Sequence, residues 1–308
     1  MIHGTHNAIP DERNKDILIY VNGALLKRED AKISVFDSGY LVGDGIWEAM
    51  RLHNGVLVFL DLHLDRLWAA SKSVGMDLKM DRAALTDEIW KVLNANKMHD
   101  HVHVRVMVTR GIKKTPSQDP RLTISGPNIV IIPEYKIAAE ESKNNGITLF
   151  TSTIRRGSPD YLDPRLNCHS KLHEVQALIQ AIEAGADEAL MLDTNGFVST
   201  CNATNFFIVQ DGEVWTSTGQ YCMKGITRGN IIKVCKADGM VVNEKDFSLF
   251  DTYDADEAFV TGTFGGLTPV TKIDGRVIGN GTYGDISKKI SHLYKALINS
   301  EVEKTVKE

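Results

Sequence analysis

Gly225-Ile226-Thr227-Arg228 has the composition of an anion site. A glycine lets the backbone approach a ligand closely. The helix expected to start at Ile226 then offers unpaired amides at the positive end of its dipole, where a phosphate dianion is well held. Other chemistry-bearing residues are dispersed. Cys168, Cys201, Cys222 and Cys235 form no C-x-x-C and read as free thiols of a reducing compartment. His169 and His173 lie four apart without a nearby third ligand, so no metal centre is expected.

The elements that must position such a site can be traced by pattern. Residues 17–22 and 55–59 are β-rich, and the His53-Asn54-Gly55 turn closes a hairpin. Helical periodicity covers 62–74 and 82–96. From His101 to Thr109 the chain alternates, with Val102, Val104, Val106 and Val108 on one face and His103, Arg105, Met107 and Thr109 on the other. A strand from Asn128 ends at Pro133, and the polar stretch 134–146 reads as a linker. Beyond it come a strand over 147–156, a helix over 174–184, strands at 188–192 and 205–215 folded at Asp211-Gly212, the helix from Ile226, a strand ending at Thr263, and a last helix over 285–297. Without a regular βαβ rhythm the expected class is α+β, and Gly43-Asp44-Gly45 reads as a turn rather than a dinucleotide fingerprint. The expected domains are a small N-terminal one over 1–133, the linker, and a larger one over 147–308.

A chain of 308 residues, 43% hydrophobic and 24% charged, fits a globular protein of two domains. A net charge of -5 with no basic stripe argues against a nucleic-acid partner. The apolar runs are too short for a membrane span, and the polar N-terminus lacks the apolar core of a secretory signal, so the expected location is cytoplasmic.

Gly185–Phe207 (GADEALMLDTNGFVSTCNATNFF), the Gly225–Arg228 turn, Val260–Thr263 (VTGT) and Leu267–Val270 (LTPV) together resemble the class IV aminotransferases. These are fold-type IV pyridoxal 5'-phosphate (PLP) enzymes that include branched-chain and D-amino-acid transaminases and aminodeoxychorismate lyase. The resemblance runs from about residue 19 to 297 and implies a two-domain fold-type IV architecture. It implies that the amides of Ile226 and Thr227 and the hydroxyl of Thr263 hold the cofactor phosphate, with Arg66 neutralising it. Taken alone, Arg66 reads as a surface arginine.

Two positions depart from the family pattern. Aligned without gaps from Asp163, the lysine that carries the cofactor's Schiff base is replaced by Asn167, and the nearest lysine is Lys171. If both lay on one helix, four residues would put them on the same face. Either Lys171 is the displaced Schiff-base lysine with Asn167 a polar neighbour of the ring, or that lysine is absent and Lys171 is a solvated helix-start residue. The second departure is Thr200, where relatives place a glutamate that keeps the ring nitrogen protonated. A hydroxyl can hydrogen-bond that nitrogen but cannot hold its charge.

On the substrate side the resemblance points to His103 and Arg105, with Arg105 the candidate carboxylate clamp or else an interdomain ion pair or a strand-face arginine. Trp47 and Tyr40 are candidate pocket aromatics or core residues. Gly262 and Phe264 flank Thr263 where relatives offer backbone amides. The implied activity is amino transfer from an amino acid or primary amine to a 2-oxo acid in a homodimer. The alternatives are a lyase of the aminodeoxychorismate type and a silent PLP-binding protein.

Overall fold

The computed structural model describes residues 4–5, 8–138 and 140–307, and the chain separates into two compact units. One unit holds Pro10–Ile137, Asn167–Ser170 and the described residues from Glu301, the last turns of a C-terminal helix that starts in the other unit. Its strands are β1 (Leu18–Val21), β2 (Ala24–Lys27), β3 (Gly45–His53), β4 (Val56–Val58), β5 (Val102–Thr109) and β6 (Asn128–Tyr135), and its helices are α1 (Ser38–Val42), α2 (Leu60–Ser73) and α3 (Arg82–Ala95). The six strands form one antiparallel sheet in the order β2-β1-β6-β5-β3-β4.

The alternation of β5 is realised, with Val104, Val106 and Val108 fully buried. The β3–β4 turn takes positive φ at Asn54 and Gly55, which suits the right-handed twist of a tight hairpin. The Gly43-Asp44-Gly45 turn follows α1, whose left-handed cap is Gly43 at φ 70°. Strand β6 passes through Pro133 to Tyr135. β1 pairs with β6 only at Val130 and Ile131, so a proline beyond that point need not forfeit a ladder bond to β1.

The second unit comprises the described residues up to Ile9, Ala138–Leu166 and Lys171–Ser300. It contains α4 (Glu140–Asn145), β7 (Ile147–Thr151), α5 (Leu172–Glu183), β8 (Glu188–Leu192), β9 (Val198–Cys201), β10 (Asn205–Gln210), β11 (Glu213–Thr216), α6 (Ile226–Ala237), β12 (Val242–Glu244), α7 (Leu249–Tyr253), β13 (Glu257–Gly262), β14 (Gly266–Ile273), β15 (Arg276–Val277) and α8 (Asp285–Lys307). Its mixed sheet runs β12-β11-β10-β13-β14-β7-β8-β9 with β15 on β14. β7 is parallel to both β14 and β8.

Helix α4 (6 residues) and the end of β6 take up part of the stretch read as a linker, and the described residues up to Ile9 group with the second unit. Thr5 donates its backbone N–H to the buried carboxylate of Glu188 at 3.1 Å, which gives that early segment a polar anchor. The strand expected over 147–156 stops at Thr151. Further on, Ser152 and Arg156 still donate backbone amides to Leu190 and Leu192 at 2.9 and 2.8 Å.

Candidate active site

The second unit builds a cradle at the start of α6. Gly225 is the helix N-cap, and a Cβ placed there would lie 2.1 Å from Asn205 Oδ1. Any side chain there would displace Asn205, and the 12-residue helix behind it presents the amides of Ile226 and Thr227, with no side-chain cap among the described residues, as donors for an anion. This arrangement fits a phosphate-bearing cofactor. Thr227 is buried, with Tyr294 Oη 3.4 Å from its hydroxyl. Arg228 is not a phosphate ligand: its buried guanidinium donates to the Ser217 carbonyl at 2.6 Å and to Glu244 at 3.0 Å.

Asn205 organises this corner, a role invisible in the sequence. Its Nδ2 donates to the Met223 carbonyl at 2.9 Å and lies 3.5 Å from Thr200 Oγ1. The cradle and the β9–β10 turn are therefore joined through one side chain. Thr200 is buried, and its hydroxyl donates to the Thr204 carbonyl at 2.7 Å. With that proton committed, only the lone pairs of Oγ1 remain for a ring nitrogen. Gly262 faces the same turn, 3.5 Å from Thr204 Cγ2 when given a Cβ. Thr263 follows it half-buried between β13 and β14, and Phe264 is buried.

Lys171 is the N-cap of α5, which begins at Leu172. Asn167, Cys168 and His169 are not helical: Cys168 bridges Ile46, and the flanking bonds are Trp47 N to Asn167 O and His169 N to Gly45 O, both 2.9 Å. The helical face expected to carry both 167 and 171 therefore does not exist, because backbone pairing with β3 captures the segment first. Lys171 Nζ lies 3.3 Å from Glu174 Oε1. That oxygen also accepts from buried Arg156 at 2.7 Å, and His173 Nδ1 lies 3.0 Å from Oε2. Burial alone would raise the Glu174 carboxyl, but contact with His173 and the charges of Lys171 and Arg156 outweigh it and lower the group to about 2. Arg156 reaches the Tyr221 carbonyl at 3.3 Å and Ser199 Oγ donates to the same oxygen at 2.9 Å, so this cluster is tied to β9.

In the first unit, Arg66 is not a surface cation. It donates Nε and Nη2 to the two oxygens of Glu48, which is 1% exposed and also meets His63 Nδ1 at 2.8 Å. Arg105 makes no ion pair among the described residues; its guanidinium lies 4.4 Å above the Trp47 ring. His103 is buried on the same strand face. Tyr40 points away from any core, 72% exposed on α1. Asn167 is 2% exposed, and its Oδ1 has no hydrogen-bond partner among the described residues.

A sequence profile of the family described as amino-transferase class IV matches residues 45–273. The chain is 37% identical over 290 residues to the branched-chain-amino-acid aminotransferase-like protein 2 of Arabidopsis thaliana, covering 94% of this chain and 52% of that protein, about half its length. It is 31% identical to a Pseudomonas aeruginosa branched-chain-amino-acid aminotransferase, covering 94% of this chain and 95% of the relative. The structure is similar, with a TM-score of 0.87 and 28% identity, to the T.th. branched-chain amino acid aminotransferase solved with pyridoxamine 5'-phosphate, covering 93% of this chain and 95% of that one.

Proposed function

Because the chain belongs to the amino-transferase class IV family, we propose that it is a PLP-dependent aminotransferase moving an amino group between an amino acid or primary amine and a 2-oxo acid. The observation that carries this reading is the Gly225 cradle, where a side chain would displace Asn205 and where the helix amides have no side-chain cap among the described residues. When bound, PLP supplies an aldehyde that takes up the amino group and a ring that withdraws electrons from the bond being broken. The amides of Ile226 and Thr227 bind the phosphate, and the Thr263 hydroxyl adds a donor. Arg66 is kept as the phosphate's cation on the resemblance alone. Lys171 is the residue that would hold the cofactor's aldehyde carbon, and its Nζ would serve as the proton carrier. Arg105 is the carboxylate clamp, with His103, Trp47, Gly262 and Phe264 as further substrate contacts. Tyr40 is assigned to the substrate site on the resemblance alone. A homodimer in the cytoplasm belongs to the same proposal; no helix among the described residues is long and apolar enough to cross a membrane.

A second reading is favoured by the Lys171–Glu174 contact and by the buried amide of Asn167: PLP bound without a covalent tether. Borohydride reduction followed by peptide mapping separates the two. A pyridoxyl label on Lys171 supports the transaminase assignment. Protein that binds PLP yet yields no labelled lysine supports the untethered reading, and a label on another lysine removes Lys171 from its role.

A further inference from the structure

We propose that Asn167 and His169 form an acceptor pair for the amino group of a zwitterionic amino acid, on the sheet face that carries Arg105. The proposal rests on the transaminase reading and adds to it a non-covalent recognition of the amine before any chemistry.

The pairing of Cys168 with Ile46 sets the geometry. Residues 167 and 169 flank the bridge and bond to the backbones of Trp47 and Gly45, so their side chains leave from the side opposite that of Cys168, before the chain bends at His169. Two glycines make room for the imidazole. A Cβ on Gly45 would meet the His169 ring at 2.6 Å, and one on Gly39 would meet Nδ1 at 3.1 Å. Trp47 shares this face with Gly45 two residues away, and the β3–β5 register sets Trp47 opposite Met107 and Ala49 opposite Arg105. Asn167, His169, Trp47 and Arg105 therefore belong to one surface of the first unit.

Two atoms on that surface lack hydrogen bonds among the described residues, Asn167 Oδ1 and His169 Nε2, and both are buried. A buried acceptor without a donor has lost its water without replacement, so its persistence calls for an explanation such as a ligand. The imidazole is pushed toward its neutral form first by burial and also by the charge of Arg105; the Ile46 backbone bond, Asp37 and Asp44 act the other way. A neutral ring keeps one nitrogen lone pair, so both orphan atoms can accept. An ammonium offers three donors and no acceptor, which matches the pair. A bare ammonium would be repelled by the Arg105 guanidinium, which makes no ion pair among the described residues. The ligand must therefore bring its own anion, and a carboxylate on Arg105 beside an ammonium on Asn167 and His169 describes a free amino acid.

The test compares leucine, as each enantiomer, with 4-methylpentanoate, the same skeleton without the amino group. It uses full-length protein after borohydride reduction, when bound cofactor no longer reacts with amines, and affinity is read by calorimetry. Wild type should bind one leucine enantiomer at least about tenfold more tightly than 4-methylpentanoate, roughly the 1.4 kcal/mol of one good polar contact. Asn167→Leu should remove that preference and leave 4-methylpentanoate binding unchanged, and His169→Asn should reduce it. Asn167→Leu replaces an unsatisfied amide by an apolar group and should fold. Arg105→Gln should weaken all the ligands. Equal affinities in wild type, or a preference that survives in Asn167→Leu, would overturn the pair. Failure of the transaminase reading shows separately, in the absence of a pyridoxyl label.

Discussion

Arg66 and Glu48 are joined twice, Nε to Oε1 at 2.6 Å and Nη2 to Oε2 at 2.8 Å, with the carboxylate almost wholly buried. An arginine that reads as a surface charge is thus half of a buried pair, and its removal has two separable effects.

Arg66→Ala should lower the free energy of unfolding by about 3 kcal/mol, because Glu48 is left with His63 as its remaining partner among the described residues. Adding Glu48→Gln removes the stranded charge and should recover part of the loss. Urea denaturation of both variants checks this, and a double variant no more stable than the single one would refute the ion pair as the cause. Cofactor affinity in Arg66→Ala should also fall, by ~1.5–3 kcal/mol if the guanidinium meets the phosphate.

Gly225→Ala should be costly out of proportion to one methyl group. Asn205 Oδ1 would have to retreat from the new methyl group, and the bond from Asn205 Nδ2 to the Met223 carbonyl would go with it. A destabilisation of ~1–3 kcal/mol is expected, with weaker PLP binding in titration. A variant of unchanged affinity would show that the cradle does not hold the phosphate.

Thr200→Val should cost about 1 kcal/mol of stability through the lost turn bond to Thr204 while leaving the bound cofactor's absorbance unaltered, since the hydroxyl proton is already committed. Thr200→Glu should place a carboxylate at the ring nitrogen and raise the rate of amino-group uptake from amino acids. Stopped-flow absorbance reads both variants, and a Thr200→Glu protein no faster than wild type would remove position 200 from the ring.

Glu174 predicts an acid-sensitive fold. Its folded carboxyl is lowered to about 2 from an ordinary 4.5, so its contribution is fully present above 4.5 and is lost as the pH falls toward about 2. Glu174→Gln combined with Arg156→Met should flatten the stability profile in that window without stranding the buried guanidinium. Chemical denaturation at stepped pH gives the comparison, and identical slopes for wild type and the double variant would rule Glu174 out.

Much of the frame was legible because it is written in local pattern. The alternating valines gave β5 its limits, Asn54-Gly55 and Asp211-Gly212 marked their hairpins, and Ile226 opens α6 as expected. What the sequence hid depends on partners distant along the chain. Nothing near Asn205 announces that its amide reaches Met223, and nothing near Arg66 points back to Glu48. The backbone at 167–169 is hidden for the same reason: its strand partner lies 122 positions away, Ile46 to Cys168, and the helix begins only at Leu172.

The parallel pairing of β7 with β14 governs the order of assembly. Ile147 is synthesised 123 residues before its partner Val270, and β8 and β9 are reached only through β7. During translation the β7–β9 block must wait with one bare flank, and closing so long a loop is slow compared with forming hairpins. The second unit should therefore fold late and nearly all at once, with substitutions at Val270 or Ile273 slowing its folding more than comparable changes in the β10–β11 hairpin.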